Sequence, residues 1–377
     1  MLKKFSCILL CVCLFSALIT PRVGAIDGAV SAKSYILIEA TTGMVVDSKN
    51  EKIQMPIAST TKIMTALITV EQKELDKLFT VDSNAIKVEG SSMGLVEGDK
   101  ASLFALANGM LLSSGNDSAN AAAVKISGSV EKFAKLMNER ASQLGMVNSH
   151  FVTPSGLHDE EHYSTAYDMA LLAKAAIRND RFLSICSKNK ARVEFGNPPH
   201  TRYLANHNRL VKEYTGCIGV KTGFTKKAGR CLVSAATRDG VTLICVTLDA
   251  SNDWQDHTRL LDYGFSVVKP VEITASYENI KLNVVGSKDK TISVMPLDKT
   301  YGCVNPEMKL IKEIYADKFY YAPIKKGDIV GQIRHLYNGN VVATTELVAS
   351  QDVKIDIVQK EKTLIKKIKE FLSKNIR

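Results

Sequence analysis

A serine stands three residues before a lysine, Ser59 and Lys62, at the start of an apolar run from Ile63 to Val70. Apolar residues recur there at helical spacing (Ile63, Leu67, Val70), and Pro56 sits just upstream, where a helix entrance tolerates proline. Residues three apart share a helix face, so a hydroxyl and an amine come within reach of each other. The free backbone N–H groups of a helix start lie beside them. That is a nucleophile, a base and an anion site in four residues. Ser-x-x-Lys alone occurs on many surface helices, so the rest of the chain must add to it. Two more short motifs follow in order: Ser114-Gly115-Asn116 in a break between helical runs, and Lys221-Thr222-Gly223 in a strand-like stretch. Each is weak alone; their order, spacing and contexts together make a strong signal.

These residues need a sizeable scaffold. The chain has 377 residues and is 45% hydrophobic and 23% charged, which suits one large domain plus a smaller one and excludes general disorder. Lys3 and Lys4 precede an apolar run from Phe5 to Ile19, and Val23-Gly24-Ala25 offers the small residues a signal peptidase reads. Residues 1–25 are expected to be a secretory signal peptide; the run is short for a span, and Pro21 breaks it. Five of the eight cysteines lie beyond it, an odd number with no tight spacing, which is not a disulfide framework. Cys231 and Cys245 flank Asp239-Gly240, a hairpin turn signal. That turn sets Cys245 opposite Ser234, so the two thiols point to opposite faces and no bridge is expected.

The formal net charge is +10, of which Lys3, Lys4 and Arg22 carry three. Residues 354–377 hold eight Lys/Arg against three Asp/Glu, or +5, which leaves about +2 on the body. The basic balance belongs to the tail and implies no nucleic-acid surface.

Along the chain, 34–40 reads as a strand, 41–43 as a turn and 44–47 as a returning strand. Helical runs follow from Ser59, Ser102, Ser118 and Ser129, and Thr165 with Asp168 makes a capping-box-like start for 169–177. Strands return at 219–225, 230–237 and 241–248, and 259–268 reads as a closing helix. The expected class is α+β: an antiparallel sheet flanked by helices, with no βαβ repeat. Alternation around Ile280, Leu282, Val284, Ile292 and Val294 marks a small β-rich domain. The expected divisions are residues 26–269, 270–353 and 354–377. The last carries an apolar stripe (Ile357, Leu364, Ile368, Phe371, Leu372) opposite lysines. This fits a helix lying on an anionic membrane surface rather than crossing it.

With its three motifs in this order, the chain resembles the low-molecular-mass penicillin-binding proteins, specifically the serine D-alanyl-D-alanine carboxypeptidases. The flanking residues match at 56–62, 111–117, 165–170 and 219–225, and the resemblance extends over essentially the whole mature chain. It implies a β-lactamase/transpeptidase-like catalytic domain. It also implies location at the outer face of the cytoplasmic membrane, and removal of the terminal D-Ala from peptidoglycan stem peptides ending in D-Ala-D-Ala. Ser59 would form the acyl-enzyme, and Lys62 would take its proton if burial and Lys221 keep it neutral. Ser114 would relay protons to the leaving amine. Asn116 would contact the substrate amide and orient Lys62. Lys221 and Thr222 would meet the carboxylate, and Gly223 would let the substrate lie close against the strand. The N–H groups of Ser59 and Phe224 would hold the oxyanion. β-Lactam antibiotics would acylate the same serine. No cofactor and no metal are implied. The alternatives are a class A-like β-lactamase, with Glu160 or Glu161 as the water-activating carboxylate, and a catalytically silent wall-binding scaffold. Arg209 is a candidate for the carboxylate in an uncertain register.

Two other patterns compete. Gly90-Ser91-Ser92-Met93-Gly94 matches a Gly-x-Ser-x-Gly elbow, but no buried strand precedes it and no helix follows it. His158-Asp159-Glu160-Glu161-His162 matches a zinc-protease pattern that requires a helix, and here it falls in a loop. Both read as loop.

Overall fold

The computed structural model describes residues 30–272, 280–297, 301–304, 309–337, 339–356 and 367–373. The expected signal peptide, and Ile357 and Leu364 of the tail stripe, lie outside these residues. The first strand, β1 (Ser34–Glu39), is buried at every position. That requires both of its faces to be covered. Its side chains alternate between two apolar clusters, with Ile36 and Ile38 in one and Tyr35 and Leu37 in the other. β2 (Val45–Lys49) returns alongside it. At the intervening turn the buried Glu39 carboxylate accepts the Thr41 and Thr42 N–H groups at 3.0 and 2.7 Å.

The chain then leaves the sheet. A 3-10 turn (Ala58–Thr61) runs into α1 (Lys62–Val70), in which every residue is buried. Short strands β3 (Phe79–Thr80) and β4 (Lys100–Ala101) are followed by α2 (Leu103–Leu111), α3 (Asn116–Ser127) and α4 (Val130–Gln143). Ser102 and Ser129 cap α2 and α4, their hydroxyls accepting Ala105 N and Lys132 N. α5 (Ala166–Ile177) is capped by Thr165, which accepts Asp168 N at 3.0 Å. Only half of the anticipated box forms. The Asp168 carboxylate instead accepts from Asn148 N and Ser149 Oγ at 2.8 and 2.7 Å, since aspartate is one methylene shorter than the glutamate that reaches back.

α6 (Asp180–Cys186) and the hairpin β5 (Lys190–Gly196) and β6 (Pro199–Ala205) come next. With β3 and β4 the hairpin forms a four-stranded sheet that the sequence reading did not anticipate. Its period-two signal exists in β5, where Ala191, Val193 and Phe195 are buried and Lys190, Arg192 and Glu194 exposed. After α7 (Leu210–Glu213), β7 (Cys217–Thr225), β8 (Gly229–Arg238) and β9 (Val241–Leu248) complete the main sheet. Its order is β2-β1-β9-β8-β7, antiparallel throughout, so strands from both ends of the region enclose the helices as expected. α8 (Asp253–Val267) covers the far face, starting earlier than the expected 259 because Asp253 and Asp256 supply an acidic first turn. Cys245 pairs with Ser234; Cys231 and Cys245 fall in opposite clusters, and both are free thiols.

The remaining strands are β10 (Lys269–Glu272), β11 (Lys281–Val285), β12 (Thr291–Pro296), β13 (Tyr301–Val304), β14 (Ile311–Tyr315), β15 (Tyr320–Tyr321), β16 (Ile329–Tyr337) and β17 (Asn340–Ala349). β10 pairs with β13, and the other six form one sheet around a separate cluster that includes Ile292, Ile333 and Leu347. Among the described residues no helix is long and apolar enough to cross a membrane. Residues 367–373 are helical, with Ile368, Phe371 and Leu372 exposed.

His257 of α8 is buried against β8 and β9, its ring nitrogens bonded to Ser234 Oγ and, at 2.9 Å, to Thr247 Oγ1. Burial pushes its pKa down to about 3. Between that value and the unfolded value of about 6.5, the unfolded chain binds a proton that the folded one does not. Stability therefore rises with pH across this window. The melting temperature is expected to be about 5 °C or more lower at pH 4.5 than at pH 6.5, with a smaller difference in His257→Gln. Thermal unfolding by circular dichroism checks this; equal slopes in the two proteins would contradict it.

Candidate active site

Ser59 sits on the 3-10 turn, not on α1 itself. Ala58 takes a left-handed conformation, φ +46°, and the Thr60 and Thr61 hydroxyls donate to Ile57 O and Ala58 O at 2.6 and 2.8 Å. Such side-chain bonds compete with α-helical pairing and hold the tighter turn. In a 3-10 turn residues three apart eclipse, so Ser59 and Lys62 still face each other. Lys62 Nζ lies 3.0 Å from Ser59 Oγ.

The Lys62 side chain is fully buried. Its amine donates to Asn116 Oδ1 at 2.7 Å and to the Ser155 carbonyl at 2.6 Å. Asn116 Nδ2 in turn donates to Glu89 O at 2.6 Å, which turns the amide oxygen toward the lysine. Burial first, and the nearby Lys221 charge second, hold the Lys62 amine well below its ordinary pKa, with Asp117 opposing. A neutral amine has two N–H bonds and one lone pair. Asn116 and Ser155 take the two N–H groups, so the lone pair is left for the Ser59 hydroxyl.

Lys221, also buried, donates to Ser114 Oγ at 3.0 Å and to Thr222 O at 2.8 Å. Burial lowers its amine to about 7. β7, which carries it, is the edge strand of the main sheet. A Cβ on Gly223 would stand 3.0–3.1 Å from Thr60 N, Ile57 O and Ser59 N. The absence of a side chain at this glycine therefore lets the Ser59 turn pack directly against β7.

A cleft of about 300 Å³ opens over Ser59. Ser114, Thr222, Gly223 and Phe224 line it as well, whereas Lys62, Asn116 and Lys221 lie behind its wall. Phe224 is 64% exposed at the mouth. Five further lining residues were not anticipated: Ser91, His207, Arg230, Asp253 and Trp254. Ser91 belongs to the Gly-x-Ser-x-Gly stretch, which is a loop as read, yet a loop pinned to the site. Asn116 N donates to Ser91 O at 2.7 Å, and the Asp117 carboxylate accepts Met93 N and Leu95 N at 2.9 and 3.0 Å. Arg230 pairs with Asp253 at 2.8 Å and packs on the Trp254 ring. Arg209 packs on the same ring, but it pairs with Glu213 and lines a neighbouring cavity, not the Ser59 cleft. Nothing in local sequence pattern joins 91, 207, 230 and 254, which are brought together by two different loops, a strand and the start of a helix.

Glu160 is 77% exposed and pairs with His158 and Lys227. Among the described residues no carboxylate hydrogen-bonds to Ser59 or Lys62, and no cluster is placed to hold a metal ion. His158 and His162 lie in a loop, and His162 is buried beneath the Ser59 turn.

Comparison with known proteins agrees with this geometry. The family described as D-alanyl-D-alanine carboxypeptidase matches residues 21–252, and that described as penicillin-binding protein 5, C-terminal domain, matches 268–355. The chain is 33% identical over 335 residues to the D-alanyl-D-alanine carboxypeptidase DacF of Bacillus subtilis, covering 86% of each chain. It is 31% identical over 348 residues to the D-alanyl-D-alanine carboxypeptidase DacC of Escherichia coli, covering 86% of this chain and 85% of that one. Penicillin-binding protein 5 of Haemophilus influenzae superposes with a TM-score of 0.71 at 25% identity, over 88% of this chain and all of the other. With a serine and a buried lysine facing each other in this fold, and with matches along both its parts, the chain belongs to the D-alanyl-D-alanine carboxypeptidase family of serine hydrolases.

Proposed function

We propose that the protein removes the terminal D-Ala from peptidoglycan stem peptides ending in D-Ala-D-Ala, through an acyl-enzyme on Ser59. The observation that carries this is the Lys62 amine, buried and directed at Ser59 Oγ with both N–H groups already taken. Ser59 loses its proton to Lys62 as it attacks the penultimate carbonyl. The N–H groups of Ser59 and Phe224 face the developing oxyanion. Ser114, bonded to Lys221, passes a proton to the leaving D-Ala amine. Thr222 meets the substrate carboxylate and Arg230 stands in the same cleft, while Lys221, buried behind the wall, acts on it through its charge and through Ser114. Asn116 acts chiefly on Lys62, since its amide is shared between Lys62 and Glu89 O. Water then hydrolyses the ester. β-Lactams acylate the same serine, and release is slow because neither Glu160 nor Glu161 is bonded at Ser59 or Lys62.

In this reading residues 1–25 direct export, 26–269 form the catalytic domain, and 270–353 form a β-rich domain. Residues 354–377 rest on the anionic outer face of the cytoplasmic membrane, holding the enzyme at the wall.

Ser59→Ala is expected to lose both fluorescent-penicillin labelling and D-Ala release, whereas the wild type shows stable labelling. Rapid penicillin turnover by the wild type would point instead to a β-lactamase, and no labelling to a silent scaffold.

Acylation requires neutral Lys62, so its rate falls as pH drops through that depressed pKa. Lys221→Gln removes the positive neighbour, raises the Lys62 pKa and moves the acid limb to higher pH. A pH series of labelling rates measures this; a limb moving to lower pH contradicts the assignment.

Deleting residues 357–377 is expected to abolish co-sedimentation with anionic vesicles while leaving labelling within about twofold of the full chain. Retained sedimentation would remove the tail as the anchor.

A further inference from the structure

The loop 148–163 supplies the Ser155 carbonyl to Lys62, and His162 ends the segment that fastens this loop under the nucleophile. His162 is 4% exposed. Its Nδ1 accepts Val152 N at 3.1 Å and Thr153 N at 3.2 Å. Those two bonds fix the tautomer, so Nε2 carries the hydrogen and donates to Thr61 Oγ1 at 2.8 Å. Thr61 Oγ1 passes the chain on to Ala58 O at 2.8 Å. Ala58 is the residue in the left-handed conformation, immediately before Ser59. An alanine held there is strained and persists only where its surroundings over-determine it.

The loop touches the same carbonyl from the other side. Gly156 has φ +78°, and a Cβ there would stand 2.0 Å from Ala58 O. Thr65 Oγ1 of α1 donates to Pro154 O at 2.6 Å, and Thr153 Oγ1 accepts Gly156 N at 3.1 Å. The serine turn and the carbonyl that takes a Lys62 N–H are therefore parts of one bonded unit, joined at Thr61 and His162.

We propose that Thr61 and His162 are positioning residues for the acylation step, which hold the Ala58 turn and the Ser155 carbonyl in one register and so keep the Ser59 hydroxyl on the Lys62 lone pair. This rests on the reading of Ser59 as the acylated residue. Neither side chain lines the cleft, and neither is asked to exchange a proton. Burial keeps His162 neutral, its pKa lowered to about 4; Asp159 opposes this shift, while His150, His158 and Lys62 add to it. The edge-on Phe151 ring, 5.6 Å away at 89°, closes its remaining face.

Displacing a reacting atom by about 1 Å costs on the order of 10²-fold in rate. The test compares wild type, Thr61→Val, Thr61→Ser, His162→Leu and the Thr61→Val/His162→Leu double variant. It measures fluorescent-penicillin acylation rate, KM for a D-Ala-D-Ala peptide, melting temperature and the pH profile of acylation. Thr61→Val keeps the side-chain shape and remains informative if His162→Leu does not fold. Thr61→Val is expected to slow acylation by about 10- to 10²-fold with KM changed less than about threefold, and Thr61→Ser to stay near wild type. The double variant falls no further than the single ones, as members of one unit do. Loosening the loop lets water reach Lys62, so the acid limb of Thr61→Val moves to higher pH. A folded Thr61→Val with wild-type acylation and an unmoved limb overturns the proposal. So does a Thr61→Ser loss equal to that of Thr61→Val. Absence of labelling in the wild type removes the acylation reading itself, which separates the two failures.

Discussion

The structure depends on a single amine without contact to solvent. Lys62 lies in the helix at the centre of the molecule, where every neighbour in α1 is also buried. A charged lysine there would cost far more than one buried hydrogen bond returns, so the site is built for the neutral form. Two acceptors consume its two N–H groups, and geometry aims what is left at Ser59. Lys221 adds a second buried amine whose charge, after burial itself, lowers the Lys62 pKa further, while serving a different hydroxyl, Ser114.

The layers around that amine follow from keeping its partners fixed. The main sheet buries both faces, so β7 is a rigid edge against which the Ser59 turn can rest, with only a glycine between them. α3 begins at Asn116 and brings the amide to Lys62. Its next residue, Asp117, gathers the 91–95 loop by its N–H groups, and that loop becomes a wall of the cleft. The 148–163 loop completes the shell from below. Each contact is made by a different part of the chain, so the site exists only when the sheet and both helical layers are assembled.

Two patterns that read as ordinary loop are indeed loop, yet neither is remote from the chemistry. Ser91 of the Gly-x-Ser-x-Gly stretch lines the cleft. His162 of the His-rich stretch spends both ring nitrogens on the Ser59 turn and its own loop. The reading failed on distance rather than on type: local pattern says that a segment is irregular, not what it lies against. The same limit explains Arg209 and Arg230. Both stack on Trp254, and only the fold shows which of them enters the Ser59 cleft.

By itself the sequence determined what short-range geometry decides. Ser59 and Lys62 had to share a face at a spacing of three, whether the turn was α or 3-10. The Asp239-Gly240 turn set the β8–β9 register, and with it the separation of Cys231 from Cys245. Alternation and apolar periodicity marked most strands and helices of the main sheet and its cover, though not the β5–β6 hairpin, even though β5 alternates just as regularly. Tertiary structure alone decided the charge state of Lys62, because desolvation is a property of everything packed around a group and not of its neighbours in the chain. It alone also decided which carbonyl, amide and imidazole converge on four consecutive residues. Those partners come from positions 155, 116 and 162, and no local rule relates them.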